Sequence, residues 1–513
     1  MNLSEVLKNV EIRSMQDALP EGYEIRGVSC DSREISEGWI FVANKGKILN
    51  GEDYIPEAVR KGAVAVVTES DSREIPEAVC HIVVPSTRNA LSVMAANMMG
   101  RPADKLAMIG ITGSNGKTST SFMVDGILRA AGVPAGLLGT VFARTGKRVE
   151  ASILTTPHPS NLQLYLSDMV ESGFRACTME VSSIAVNMRR VHGVHYDVFA
   201  FINISREHID DHGDFETYYN LKASVVKGLG RESICVLYAD DEQVSRLAHE
   251  TSAKVLYFSD KEKRGDCYLE RLDLSTGRAN FTMNLLGESI DISLKVSGYH
   301  NVVNALAAAT IATAVMKSGK NNIEISPAHI KAGLEGYSGV ERRFECIYDR
   351  EFKIFDDHFA NPGNIDVTFE TMHQMRFDGF HMCYAVRGSR GVTVNRENVE
   401  AMLPHLKRLN LRSFVATASV EDVGYKDEVT PDEKAVFLAC MADAGIEVVW
   451  FDRLKDAVVY ATDLARPGDV LLLAGCQGMD SGGHVALQHL SAKKADDSIL
   501  NPIRNRVCGS FLA

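Results

Sequence analysis

Several absences narrow the role of this chain before any motif is read. No uncharged apolar run approaches the roughly 18 residues needed to span a bilayer, so a soluble protein is expected. The opening residues, MNLSEVLKNVEIRS, have no apolar core of the kind a secretory signal requires. The ten cysteines are scattered, with no Cys-x-x-Cys pair and no zinc-type spacing, and read as reduced thiols in a cytoplasmic protein. Positive charge is in short supply: 55 Lys and Arg stand against 67 Asp and Glu, a net charge of -12. That balance argues against a general binder of nucleic acid or anionic membranes, so an anionic ligand must be held in a local pocket. Tandem repeats and low-complexity tracts are also missing, while 45% hydrophobic and 24% charged residues leave ample apolar surface to bury.

What is present begins with length: 513 residues exceed one core and suit about three domains. The expected divisions are 1–102, 103–338 and 339–513, all of α/β character. The central one opens on MIGITGSNGKTSTSFMVDGIL, residues 108–128, where a β-type run meets a glycine-rich turn and then a helical pattern of Phe122, Val124, Ile127 and Leu128. This is the layout of a phosphate cradle. Gly113 and Gly116 let backbone N–H groups close around an anion, Lys117 supplies a mobile cation, and the Thr118 hydroxyl suits Mg²⁺. The loop is a compact variant, because Ile111 stands where the general P-loop pattern has its first glycine. Gly113, Ser114, Asn115, Gly116, Lys117, Thr118 and Ser119 form the expected nucleotide-contacting set.

Around this loop, strand-like runs alternate with helical segments. The first domain holds AVAVVTE and HIVVPST, with Asp31, Ser32 and Arg33 in a polar loop that suits either a hydroxylated or phosphorylated ligand or a plain charged turn. Pro102 marks its end. In the second, RACTMEVSS, YDVFAFINIS, SICVLYADD and KVLYFS read as buried strands of a mostly parallel sheet. Ligands of such sheets bind at the carboxyl ends of the strands, where Glu180, Ser182, Asn203, His208 and Asp210 fall. The third domain repeats the pattern with FKIFDD, GFHMCYAV, RSFVATAS, IEVVWFD and DVLLLAG. Its glycine-rich loops 387–391 and 475–483 are either ligand loops or connecting turns.

TTPHP (155–159), MEVSS (179–183), NISREHIDDHG (203–213) with ETYYNLKAS (216–224), and SGYHNVVNALAA (297–308) follow in the order and approximate spacing of the Mur ligases. These are ATP-dependent amide-forming enzymes of peptidoglycan precursor synthesis. DSREISEGWIFVANKG in the first domain resembles the uridine-binding domain of the MurE type, the branch that adds the third peptide residue. The resemblance implies an N-terminal UDP-sugar-binding domain, a central P-loop ATPase domain and a C-terminal Rossmann-like domain. It implies ATP and Mg²⁺ as cofactors, with Thr118, Glu180, His208 and a carbamylated Lys222 around the metal ions. On the residues alone, Lys222 reads as a solvated helix lysine. Asn301, Asn304, Arg343 and Asp357 match nucleotide-contacting positions, and Ser32, Thr155, Thr156, Ser182 and Arg190 match substrate-contacting ones.

The departures from the MurE pattern concentrate toward the C-terminus. Ile184 stands where that type has histidine, Arg342 replaces the hinge glycine, and Ala360 replaces the histidine of an Asp-Tyr-Ala-His-x-Pro motif. TASVEDVGYKDE (417–428) lacks the Asp-Asn-Pro-Arg motif of diaminopimelate-adding enzymes, and GCQGMD (475–480) replaces Gly-Lys-Gly-His-Glu. Arg387, Arg390 and Arg396 are either ligands for an acidic group or surface arginines. The resemblance implies ATP-dependent addition of an amino acid to UDP-N-acetylmuramoyl-L-alanyl-D-glutamate through an acyl phosphate, in the cytoplasm, by a monomer without nucleic-acid or membrane partners. The alternatives are a Mur-type ligase diverted to another peptide or metabolite, and a Mur-like nucleotide-binding protein that forms no amide bond.

Overall fold

A computed structural model describes residues 1–504 apart from 17–18, 47–48, 72–74, 206–212, 275–278 and 297. The chain forms two compact units, one of residues 1–269, 284–288 and 306–333, the other of 270–283, 289–305 and 334–513.

In the first unit, a five-stranded sheet runs in the order Ser14–Gln16, Cys80–Val83, Ala63–Thr68, Trp39–Val42, Gly27–Ser29. Only its first pair is antiparallel. The apolar runs that announced these strands are buried on both faces, against the helix Thr87–Met98 on one side and Ile55–Arg60 on the other.

The same unit contains the strand Ala107–Thr112 of the glycine-rich loop, all six residues buried, with Ala176–Glu180 and Val198–Phe201 parallel on either side. Ala135–Leu138 lies beyond the first neighbour; Ile234–Tyr238 and Lys254–Ser259 lie beyond the second. A hairpin, Phe142–Arg144 and Val149–Ala151, completes one edge of a sheet of eleven strands. The chain leaves Ala107–Thr112 toward one side and later continues on the other, so the carboxyl end of that strand is a topological switch point, where open α/β sheets bind ligands.

In the second unit, the six-stranded sheet is ordered Glu345–Asp349, Lys353–Asp357, Val470–Ala474, Phe380–Ala385, Leu411–Thr417, Val448–Phe451, parallel except for its first pair. Helices Pro362–His373, Val392–Leu406 and Pro431–Asp443 bury one face; Leu454–Leu464 and Gly482–Lys494 bury the other. Among the described residues no helix is long and apolar enough to cross a membrane. The nine described cysteines are all free.

Candidate active site

The glycine-rich turn passes directly into the helix Lys117–Ala130, with Gly116 at its N-cap at φ +81, in the left-handed region that glycine enters without cost. At Gly113 a Cβ would lie 2.7 Å from Ile202 Cγ1, so the turn closes only around a hydrogen. The loop is clasped to the neighbouring strand end by a reciprocal pair: Asn115 N donates to Asn203 Oδ1 (3.0 Å) and Asn203 Nδ2 donates to the Asn115 carbonyl (2.9 Å). Ser114 Oγ accepts from Ser205 N (2.8 Å) and lies 3.1 Å from the buried Tyr218 hydroxyl. Lys117 folds over this turn, its Nζ donating to the carbonyls of Gly113 (3.0 Å) and Ser114 (2.8 Å).

Glu180 ends the adjacent strand and is fully buried. Its Oε2 accepts from Thr118 Oγ1 (3.0 Å) and Thr140 Oγ1 (3.0 Å), and its Oε1 from Thr140 N (2.8 Å). Gly139 leaves room for it, since a Cβ there would sit 2.3 Å from Oε1. A hydroxyl and a carboxylate at a helix N-terminus are hard oxygen donors, the set Mg²⁺ takes beside phosphates. The residues present therefore fit a magnesium nucleotide.

Lys222, on the helix Phe215–Lys227, corrects the expectation of a solvated lysine: it is 1% exposed. Its Nζ donates to the Gly113 carbonyl (2.9 Å) and Thr112 Oγ1 (3.2 Å) and lies 4.9 Å from the Tyr218 ring centroid. His208 and Asp210 lie outside the described residues.

A second constellation adjoins Glu180 through Thr156, whose Oγ1 donates to the Glu180 carbonyl (2.9 Å) and accepts from Ser182 N (3.1 Å). Ser182 caps the short helix Ser183–Asn187, and Thr155 Oγ1 lies 3.3 Å from Thr140 Oγ1. Arg190 Nη1 donates to the Thr156 carbonyl (3.1 Å), while its Nε is buried without a hydrogen-bond partner. His158 of the same loop lies 3.8 Å from Cys30 Sγ, beside the polar loop of Asp31, Ser32 and Arg33. Burial first, and Arg190 second, hold the His158 pKa below the usual histidine range. Ser32 Oγ donates to Glu57 Oε2 (2.9 Å), and Arg33 pairs with Asp31. The structure thus gathers Thr155, Thr156, Ser182 and Arg190 beside Glu180, with the Ser32 loop adjoining. Thr140 belongs to the same network and was missed; the signal for it is the Gly-Thr pair at the carboxyl end of Ala135–Leu138.

Asn301, Arg343 and Asp357 belong to the second unit. Asn301 is buried near the start of the helix Tyr299–Ser318, and Asn304 one turn later is buried too. The buried Asp357 accepts from Phe344 N (2.6 Å) and Phe359 N (2.9 Å). Burial pushes its pKa up to about 6, against the lowering effect of Arg343. Arg342, one residue earlier, has φ +56 and is itself buried. Its guanidinium pairs with Asp356 (3.2 Å) and Asp480 and donates to the carbonyls of Cys476 (3.2 Å) and Gly475. Of the three arginines considered for an acidic ligand, Arg387 donates to the Ala360 carbonyl (2.6 Å), Arg390 pairs with Asp427 (3.0 Å), and Arg396 is exposed with Cys440 Sγ at 3.7 Å.

Comparison with known proteins agrees with this layout along the chain. Residues 111–312 match the Mur ligase middle domain, 24–99 the Mur ligase family catalytic domain, and 342–477 the Mur ligase glutamate ligase domain. A UDP-N-acetylmuramoyl-L-alanyl-D-glutamate–2,6-diaminopimelate ligase of Bacillus licheniformis is 31% identical over 500 residues, covering 96% of this chain and 95% of its own length. The chain belongs to the Mur ligase family. Its three-domain fold is that of Mur ligases of known structure. One, titled as a UDP-N-acetylmuramoyl-L-alanyl-D-glutamate–2,6-diaminopimelate ligase, superposes with a TM-score of 0.65 at 20% identity, covering 96% of this chain and 99% of its own. A MurF ligase from Thermotoga maritima, solved in complex with ADP, gives 0.61 at 18% identity, covering 93% and 100%.

Proposed function

We propose that this Mur ligase adds an amino acid to UDP-N-acetylmuramoyl-L-alanyl-D-glutamate with conversion of ATP to ADP and phosphate, acting as a monomer in the cytoplasm. The observation that carries the proposal is the buried Glu180. Its side chain reaches Thr118 of the glycine-rich loop, while its carbonyl holds Thr156, at hydrogen-bond distance on both sides. In this reading one residue links the loop assigned to the nucleotide with the threonine assigned to the substrate. The full-length similarity to a ligase with that named substrate supports the same reading.

The residues divide the work as follows. Gly113 to Ser119 wrap the triphosphate, with Lys117 neutralising the transferred group. Thr118 and Glu180 would hold Mg²⁺, which when bound draws off charge as carboxylate and γ-phosphate approach. His208 and Lys222 are assigned to a second Mg²⁺, with Lys222 as the carbamate formed when its neutral amine adds CO₂ and loses a proton. Thr155, Thr156, Ser182 and Arg190 hold the muramoyl peptide, and Ser32 the uridine end. Asn301, Arg343 and Asp357 are assigned to the nucleotide from the motif resemblance alone. Domain limits at 102 and 338 accompany this assignment.

A second reading, a ligase diverted to another acceptor, is favoured by one observation: the 475–480 loop is occupied by the Arg342 guanidinium. Both are tested by incubating the protein with Mg-ATP and UDP-N-acetylmuramoyl-L-alanyl-D-glutamate across single amino acids, following ADP and product mass. One amino acid should give ADP and a matching mass increase. ADP release with other carboxylates but never with this one would favour the diverted ligase; nucleotide binding without any turnover would leave a non-catalytic protein.

A further inference from the structure

The C-terminal sheet carries a second cluster of ligating side chains, which the ligase reading leaves unused. His373 is the last residue of the helix Pro362–His373, and His405 the penultimate residue of Val392–Leu406. Their rings meet with His373 Nε2 3.1 Å from His405 Nδ1. Glu370 stands one turn before His373 on the same helix, and ligand atoms of Glu370, His373 and His405 all lie within 4.8 Å of one another. Two imidazole nitrogens on a tetrahedral Zn²⁺ sit roughly 3.3 Å apart, given Zn–N bonds of about 2.0–2.1 Å. The existing spacing needs little adjustment.

What surrounds the pair distinguishes it from a chance contact of histidines. His405 Nε2 lies 3.1 Å from Asp366 Oδ1. With Nε2–H donating to that carboxylate, Nδ1 presents its lone pair toward His373 and Glu370. A carboxylate behind a ligating imidazole is the outer-shell arrangement that fixes tautomer and ring direction at zinc sites. The His405 ring is further held by stacking on Phe369, at 5.1 Å between centroids and 14° between planes, and the residue is buried. Glu370 is exposed, which leaves the site an open side.

We propose that Glu370, His373 and His405 form a binding site for a divalent transition metal of the zinc class, with Asp366 as the positioning residue behind His405. Two imidazoles and one carboxylate select such an ion over Mg²⁺, whose preference is for oxygen ligands. The metal replaces the hydrogen bond between the two rings, with His373 carrying its proton on Nδ1 instead of Nε2. Three protein ligands leave the fourth position to water or to an oxygen of an incoming group. The ion would clamp the C-terminal ends of two helices, where the helix dipoles favour positive charge.

The test uses the full chain, stripped with a chelator and titrated with Zn²⁺ against a chromogenic competitor in excess Mg²⁺. Wild type should take up one tight equivalent that Mg²⁺ does not displace, and Co²⁺ in its place should show the visible absorption of a tetrahedral site. His373→Gln and Glu370→Gln, at half-buried and exposed positions, should each lose that equivalent or weaken it at least tenfold. Asp366→Asn should keep the stoichiometry and weaken binding by about 10- to 100-fold. Absence of a tight equivalent in wild type would overturn the proposal. So would an equivalent of unchanged affinity in His373→Gln and Glu370→Gln, which would assign the ion to other groups.

Discussion

Two glycine-bearing loops follow buried parallel strands in this protein, and each is attended by a cation in a different state. At residues 113–116 the Lys117 ammonium rests on the loop's own carbonyl oxygens. At 475–480 the Arg342 guanidinium also rests on loop carbonyls, but it is in addition ion-paired with Asp356 and Asp480, and is almost wholly buried. At the second loop the guanidinium's charge is met by carboxylates, which tie it to the sheet on which it sits. The same backbone device thus carries a lysine over its own turn in the first case, where we propose that phosphate binds, and an ion-paired structural joint in the second. A loop's cation is informative about ligands only once its counter-charges are known.

The largest test of this contrast is Lys117→Ala, which should lower turnover by roughly a thousandfold or more, because it removes charge aimed at the transferred phosphate. ADP release near the wild-type rate would place the phosphate elsewhere. Next is Arg342→Met. Removing the guanidinium from the buried Asp356 should cost about 3–5 kcal/mol, read as a lowered urea midpoint for the C-terminal sheet. An unchanged midpoint would mean that the arginine is not the joint described.

Asp357 gives a pH test of comparable or slightly smaller size. Its pKa rises from 3.8 to about 6 on folding, so the native state holds the proton more tightly than the unfolded chain. This contribution to stability is full below about pH 4 and is lost as pH rises toward 6, a fall of about 3 kcal/mol. Asp357→Asn should flatten that part of the stability profile, and an equally steep profile in the variant would assign it to other groups. The smallest effect is expected from Arg390→Ala. Its half-exposed pair with Asp427 contributes less than about 1 kcal/mol, and substrate KM should be unaltered. A large rise in KM would instead make Arg390 a ligand, closing the gap between the two loops.

The fold was largely legible because its strands are continuous apolar runs between turn-forming residues, as at MIGIT and VLLLA, and buried parallel strands must read that way. The strand, glycine-rich turn and helix at 107–130 were legible because the tight turn demands glycine at fixed spacing. Sequence distance hid the rest. Thr140 reaches Glu180 across forty positions, and Arg342 reaches Asp480 across 138. His373 and His405 come from different helices and share no motif. Lys222 looked solvated because a lysine on an amphipathic helix usually is, and only the closing of the sheet against Gly113 reveals its depth. Contacts made by tertiary packing have no local pattern to read.

Arg342 also has a kinematic consequence. Its guanidinium travels with the C-terminal sheet, so residue 342 is a passenger of that sheet and cannot serve as its pivot. Through Cys476 and Asp356 it bolts the chain at 342 to the ends of two strands that lie 134 and 14 positions away. A position that a glycine would leave loose is here a rivet.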